Sequence, residues 1–184
     1  ADHNTQGALL AGVLNGNVDS SNLADGAATT AKIADSNVTT GKLADASVTP
    51  AKLATGATTA AVATAEDTSS ASYVALTTAG PASTVTIGAN GIALVSVRAI
   101  VGNSTANAQN YMGFAISGAT TVASADAFAA VRRINDASIA GQDGLADTFL
   151  VTGLTPGSTT FTSQYKVNAG SGRFSTRKIT VIPL

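Results

Sequence analysis

The sequence predicts an all-β chain in which an elongated, repetitive shaft that trimerises is followed by a C-terminal β-sandwich of jelly-roll type. Three observations point there. Small and β-branched residues dominate a chain with only 11% charged residues, a composition suited to strands and tight turns rather than to large helical cores. All eight aromatics, from Tyr73 to Phe174, fall in the second part of the chain, leaving residues 1–72 with none. A ten-residue repeat runs through the first part.

The repeat units are Val13 to Asn22, Leu23 to Lys32, Ile33 to Lys42 and Leu43 to Lys52, with a degenerate copy from Leu53. An apolar residue recurs at every fifth position: Val13, Val18, Leu23, Ala28, Ile33, Val38, Leu43, Val48 and Leu53. On an α-helix ten residues advance about 1000°, so the apolar position drifts by about 80° per copy and no stripe forms. A flat strand fails as well, because an odd step of five sends successive apolar residues to opposite faces. What remains is a chain that bends inside each unit, with Asp25-Gly26, Asp35-Ser36 and Asp45-Ala46 as turn or cap residues. A segment without aromatics cannot easily enclose a core by itself. Three chains around an axis can bring three thin apolar lines together, so the nine aliphatics are expected to face a trimer interior. Lys32, Lys42 and Lys52, with Asp35 and Asp45, read as solvated charges on a narrow rod, each exposed pair contributing about 0 to 1 kcal/mol.

Residues 1–12, including Gly7-Ala-Leu-Leu-Ala-Gly12, are assigned as an N-terminal anchor and residues 13–58 as the shaft. The Thr/Ala/Ser-rich passage 59–72 reads as a linker or collar. Residues 73–184 form the head, where period-two runs alternate with glycine and proline. Strands are expected at Tyr73 to Thr77, Thr84 to Ile87, Ala93 to Val101, Tyr111 to Ser117, Phe128 to Ile134, Thr148 to Thr152, Thr159 to Val167 and Phe174 to Ile182. In the third, Val95, Val97, Ala99 and Val101 share one face, with Ser96 and Arg98 on the other. Turns are signalled by Ala79-Gly80-Pro81, Gly88-Ala-Asn-Gly91, Ser117-Gly118, Thr155-Pro156-Gly157 and Gly170-Ser-Gly172. About eight short strands fit a jelly roll or another sandwich. Leu154-Thr-Pro156-Gly157 keeps a fibronectin type III-like sandwich as the alternative, although Phe161 stands one residue later than that pattern expects.

The same residues bound the chemistry. A formal net charge of −1 gives no electrostatic footprint for nucleic acid or an anionic membrane, so neither is an expected partner. With no cysteine there is neither a disulfide framework nor a thiolate metal site. No run of about 18 apolar residues spans a bilayer, and Ala1-Asp2-His3-Asn4 lacks the pattern of a signal peptide. The single histidine, His3, lies near a terminus, a poor place for acid/base work. Glu66-Asp67 reads as a solvated acidic step or a local cap. Asp143 and Asp147 lack the dense alternation of oxygen ligands that calcium loops use. Gly41-Lys42 is followed by Leu43 and is not a phosphate loop, and neither a nucleophile elbow nor a zinc-protease motif is present. Asn37-Val-Thr39 and Asn103-Ser-Thr105 match glycosylation sequons, which are frequent by chance in such a chain. No catalytic residue, metal or cofactor is expected, and the chain reads as a non-enzyme.

The units Ala28-Thr-Thr-Ala-Lys-Ile-Ala-Asp and Val38-Thr-Thr-Gly-Lys-Leu-Ala-Asp resemble the decapeptide repeats of tailed-phage fibre and minor structural proteins. The head segments Gly80-Pro-Ala-Ser-Thr-Val-Thr-Ile-Gly, Phe114-Ala-Ile-Ser-Gly-Ala-Thr and Gly153-Leu-Thr-Pro-Gly-Ser-Thr-Thr-Phe are similar to C-terminal domains of such proteins in phages of actinobacteria. The resemblance implies a virion-surface location, trimeric assembly and a structural role as a capsid-attached fibre or decoration spike. Its implied partners are two further copies of the chain, a capsid or tail protein at the N-terminal segment, and a host-surface glycan. A tail fibre or tail spike that binds host cell-wall glycan is the alternative.

Overall fold

A computed structural model describes residues 24–29, 33–34, 37–44, 47, 56–140 and 143–184. It comprises two compact units, 1–49 and 50–184.

In the first unit one turn recurs at the sequence period. The Ala27 amide donates to the Ala24 carbonyl at 2.9 Å, Asn37 to Ala34 at 3.1 Å and Ser47 to Ala44 at 3.0 Å. In the first copy the turn spans Asp25-Gly26, and Gly26 takes φ 74°, a left-handed value that a residue with a side chain adopts only with strain. A short 3-10 turn, Thr40–Lys42, follows in a later copy, and the Lys42 ammonium donates to the Asn37 carbonyl at 2.6 Å. The bend expected inside each unit is therefore present in the three units whose turn hydrogen bonds are described. Of the nine aliphatics assigned to a trimer interior, Ala28, Ile33, Val38 and Leu43 are described, and all four are exposed. Val13, Val18, Leu23, Val48 and Leu53 lie outside the described residues, as does the N-terminal anchor 1–12.

The second unit is an all-β sandwich. Its strands are β1 (Thr58–Val62), β2 (Glu66–Thr68), β3 (Ala82–Ile87), β4 (Ala93–Asn103), β5 (Gln109–Gly118), β6 (Ala129–Arg133), β7 (Asp143–Val151), β8 (Gly157–Val167) and β9 (Gly172–Pro183). One sheet runs β1-β9-β4-β7, with β2 also paired to β9; the other runs β3-β8-β5-β6. All pairings between the named strands are antiparallel. Successive strands cross between sheets, and only β5 and β6 pair as sequence neighbours in the head. This nested order is that of a jelly roll. In an immunoglobulin-like sandwich the last two strands share a sheet. Here β8 and β9 lie in opposite sheets, which excludes the fibronectin-like alternative.

Alternation decides which side chains close the core. Along β4, Ala93, Val95, Val97, Ala99 and Val101 are fully buried, while Ser96 and Arg98 face outward as the period-two pattern requires. The opposing sheet contributes Val85, Ile87, Met112, Phe114, Ile116, Phe161, Tyr165 and Val167. Phe114 stands at the centre of an aromatic cluster, with ring centroids 5.8 Å from Phe128, 6.0 Å from Phe149 and 5.9 Å from Phe161.

Four expectations need correction. The passage 59–72 does not run as a free linker: it supplies most of β1 and all of β2, both hydrogen-bonded to β9. Tyr73 to Thr77 forms no strand and contributes a single bridge, Val74 to Tyr165, which lies along the β8 edge beyond the end of β3. Phe128 belongs to a 3-10 turn, Asp126–Phe128, which drops its ring onto Phe114. The strand expected at Thr148 starts at Asp143, since β4 offers a pairing partner as far as Val101 and overrides the weak strand propensity of Asp143-Gly144.

Replacing Phe114 with alanine empties the middle of the aromatic cluster and should lower unfolding stability by about 3 to 5 kcal/mol, read as a shifted midpoint in urea denaturation. A change below about 1 kcal/mol would show that the four rings pack independently.

Candidate functional site

Two polar clusters stand apart from the apolar core, one inside the sandwich and one on its surface.

The interior cluster arises from a break in alternation. Arg98 pairs with Lys178 but Ile100 pairs with Ser175, so β9 holds one extra residue opposite Ala99. Thr176 takes φ 51° at this bulge. The slip changes which face odd-numbered residues occupy: Phe174 points inward before it, Ile179 and Val181 after it. Arg177 is thereby turned into the interior and is fully buried. Its Nη2 meets Glu66 Oε2 at 3.0 Å and the Thr64 carbonyl at 3.3 Å. Its Nη1 donates to the Thr78 carbonyl at 3.2 Å, and the guanidinium lies 5.4 Å from the Tyr165 ring centre. The Tyr165 hydroxyl donates to the Gly80 carbonyl at 2.8 Å; burial pushes that hydroxyl up to about 12, so it remains a donor across the ordinary pH range.

Glu66 completes the arrangement. Its carboxylate accepts from the Thr78 amide at 2.9 Å and from the Thr78 hydroxyl at 2.8 Å. Burial alone would favour the neutral acid, but these bonds together with the Arg177 charge hold the carboxyl below its ordinary value of 4.5. The residue is therefore neither a solvated acidic step nor a local cap: its carboxylate binds Thr78 twelve residues away and balances the buried Arg177 charge. A buried guanidinium held by three backbone carbonyls and one carboxylate has no exposed face with which to meet a substrate. Its chemistry is that of a clamp.

The surface cluster lies on the outer face of the β3-β8-β5-β6 sheet. Tyr111 on β5 is directly opposite Lys166 on β8 and Val131 on β6. Two residues along, Gly113 leaves the face open, and the Tyr73 ring fills that space: a Cβ at Gly113 would stand 3.0 Å from Tyr73 Cε1. Lys166 Nζ lies 4.6 Å from the Tyr111 ring centre and 5.0 Å from that of Tyr73, within range of a cation–π attraction. It also meets Asp126 Oδ1 at 2.6 Å, and the Tyr73 hydroxyl donates to the same oxygen at 2.9 Å. The bonds from Lys166 and Tyr73 hold the Asp126 carboxyl below its usual range. Tyr111 donates to Gln109 Oε1 at 2.9 Å, and Asn168 Nδ2 reaches the same oxygen at 3.3 Å.

The remaining sequence candidates are separated. Asp143 pairs with Arg132 at 2.6 Å, whereas Asp147 accepts from the Thr148 amide at 2.7 Å; four residues apart on an extended strand, they stand about 13 Å from each other. Asp67 forms a bond of 2.8 Å with Arg173 and points away from Glu66. Asn103 is fully buried and donates to Asn110 Oδ1 at 2.9 Å, so its sequon lies where no glycan fits. Among the described residues no group of three or more His, Asp or Glu is placed to hold a metal ion. On the outer face of the five-stranded sheet, Leu94 pairs with both Leu150 and Ile182, an apolar row in which Leu150 is 57% exposed.

No protein-family model matches this chain, and no curated protein matches it. Among solved structures, Eiger TNF from S. frugiperda is similar with a TM-score of 0.46 and 10% identity, over 71% of this chain and 92% of that one. Murine APRIL at pH 5.0 gives a TM-score of 0.37 and 10% identity, over 67% of this chain and 100% of that one. The jelly-roll assignment stands on the strand order above, and these likenesses carry nothing further.

A lowered Glu66 pKa means that the unfolded chain binds the proton more readily, so the stability it contributes is present above the ordinary carboxylate range and lost as pH falls through the folded value. Glu66→Gln should therefore lower the melting temperature at neutral pH and make it fall less steeply below about pH 4.5 than in the parent chain. Parallel acid melting curves would sink the clamp.

Proposed function

We propose that the chain is a structural virion protein, a homotrimeric capsid-attached fibre or decoration spike that projects its β-sandwich head from the particle surface and aids attachment to the host. It has no catalytic role in this reading.

The observation that carries it is an imbalance in burial. The head closes its core with its own residues. In the repeat, Ile33, Val38 and Leu43 are 42%, 53% and 43% exposed on the single chain, although they stand at the positions where the period-ten pattern keeps its aliphatics. Leaving such side chains in water forgoes about 1.5 to 3 kcal/mol each, and the repetition makes the deficit cumulative. Two sister copies winding around a shared axis would cover all three layers at once. The regular turn at ten-residue intervals supports this, since it returns each aliphatic in the same local setting. The Leu94, Leu150 and Ile182 row offers the head a further surface for contact between copies.

The charge pattern supports a non-catalytic part. Glu66, Asp67, Asp126 and Asp143 are each engaged in an ion pair, and the resemblance of the repeat to fibre shafts supplies the virion setting. One observation favours the tail-borne adhesin as a second reading: Tyr73 and Tyr111 stand outside the core, half-exposed on an open sheet face.

Light scattering on the purified chain should give three times the mass of one polypeptide, and Ile33→Asp combined with Leu43→Asp should reduce it to one while the head keeps its far-ultraviolet β spectrum. A monomeric parent chain at micromolar concentration would overturn the trimer. Imaging of the particle with a label on the head distinguishes capsid from tail attachment.

A further inference from the structure

We propose that the outer face of the β3-β8-β5-β6 sheet around Tyr111 is a saccharide-binding site. A pyranose ring would stack on the floor made by Tyr111 and Val131, with a vicinal diol held between Asp126 and Lys166. This deepens the attachment role proposed above, but the site belongs to a single head and requires no trimer.

The argument begins with what a sugar ring presents. One face of a pyranose is a patch of C–H bonds, and its rim carries adjacent hydroxyls that each donate and accept. A complementary protein surface needs a flat apolar or aromatic floor and, beside it, an acceptor and a donor close enough to serve neighbouring oxygens. Tyr111 and Val131 are cross-strand partners on a sheet face, and Val131 is 45% exposed. Neither belongs to the core. The five phenylalanines and Tyr165 account for the aromatic core on the other side of the sheet; on this face the Tyr111 ring flanks Lys166, and Val131 has no packing task.

The polar groups beside that floor have capacity left over. Asp126 Oδ1 takes both bonds, from Tyr73 and Lys166. The Asp126 side chain is 60% exposed, so Oδ2 is open to a hydroxyl donor. Lys166 carries three donors, of which the Asp126 bond occupies one; its side chain is 18% exposed, set between the two rings. An ionised carboxylate and an ammonium joined edge to edge, with free valences on both, match a diol in which one hydroxyl donates and its neighbour accepts. The hydrogen bonds are charge-assisted, hence stronger than neutral ones. Both groups are also pre-positioned: Tyr73 and Lys166 hold Asp126, and the rings of Tyr73 and Tyr111 hold Lys166. Little side-chain freedom remains to be lost on binding. Gln109 and Asn168 extend the polar rim.

Charge selects the ligand class. Lys166 is neutralised by Asp126 at 2.6 Å, and Arg133, exposed on the same face opposite Gln109, leaves a single positive charge, too little to draw a polyanion such as nucleic acid. A neutral, hydroxyl-rich ring suits it better.

The test uses the full chain on an array of hexopyranose and N-acetylhexosamine oligosaccharides, followed by calorimetric titration of those retained. At least one oligosaccharide should bind. Tyr111→Ala and Asp126→Asn should each weaken it about tenfold or more, whereas Tyr111→Phe, which keeps the ring, should stay within about threefold. Melting curves check that each variant is folded. Absence of binding by the folded parent chain, or equal binding by Tyr111→Ala, overturns the site. A monomeric chain that binds sinks only the shaft; a trimer that binds nothing sinks only the saccharide site.

Discussion

The interaction on which the head depends is the inward turn of Arg177. A guanidinium can be kept out of water only if its donors are met by carbonyls and an opposite charge, because an unpaired buried ion costs several kcal/mol. The bulge at Thr176 delivers the side chain to a region where the chain meets that demand. Thr64, Glu66 and Thr78 come from a segment more than ninety positions away. Binding them to Arg177 fixes the polypeptide between β1 and β3, and with it the line along which β1 and β2 join β9. A polar passage with little apolar surface of its own is thereby ordered by a charge.

That arrangement also explains how the sandwich is closed along part of its rim. Tyr165 stacks near the guanidinium, packs at 4.9 Å against Phe174 and hands its hydroxyl to Gly80. The same ring thus belongs to the apolar core on one side and to the clamp on the other. At another part of the interior, Asn103 and Asn110 do comparable work, with Asn110 donating to the Gly102 carbonyl at 3.0 Å and Asn103 accepting from the Thr105 amide at 2.9 Å. Polar groups in a low-dielectric interior are tolerable when most of their donors and acceptors are met, as they are here apart from Arg177 Nε, and each of these sites binds a loop that hydrophobic burial alone would leave loose.

Much of the fold was legible because period-two alternation is a local property. Ala93 to Val101 announces its buried face residue by residue, and the glycine and proline turns bound most strands. The β7 edge of the five-stranded sheet was less readable: Asp143-Gly144 has no strand preference, and its pairing is imposed by β4. Strands β1 and β2 were hidden for the same reason, since Thr, Ala and Glu carry no apolar stripe and their order comes from β9. Arg177 did leave a trace. Phe174 and Ile179 are five residues apart, an odd step that a regular strand cannot bury on one face; the same arithmetic that excludes a flat strand in the repeat marks a bulge in β9. The surface cluster had no such trace, because Tyr73, Asp126 and Lys166 are far apart in sequence and meet only through the fold. The bend in the repeat was legible from Asp25-Gly26, which has the composition of a turn.

The two outer faces of the sandwich differ in a way that bears on how such a head is used. On the five-stranded sheet, Leu94, Leu150 and Ile182 form one row, and the next is a line of hydroxyls in which Thr148 donates to Ser96 at 3.0 Å and Thr59 meets Thr180 at 2.9 Å. The apolar row and the hydroxyl line lose little by being covered, since the hydroxyls already satisfy one another, while Arg98 and Lys178, opposite each other in the following row, keep their charges in solvent. On the four-stranded sheet the ordering is reversed: aromatic rings are pinned in place, and charged groups keep valences open to solvent. A protein that associated through the second face would have to desolvate Asp126 and Lys166 without a matching partner, which is unfavourable. Association through the first leaves the second free. In the proposed reading the sandwich thus separates, on opposite sides of one core, the surface that would meet sister copies from the surface that would meet a polar ligand.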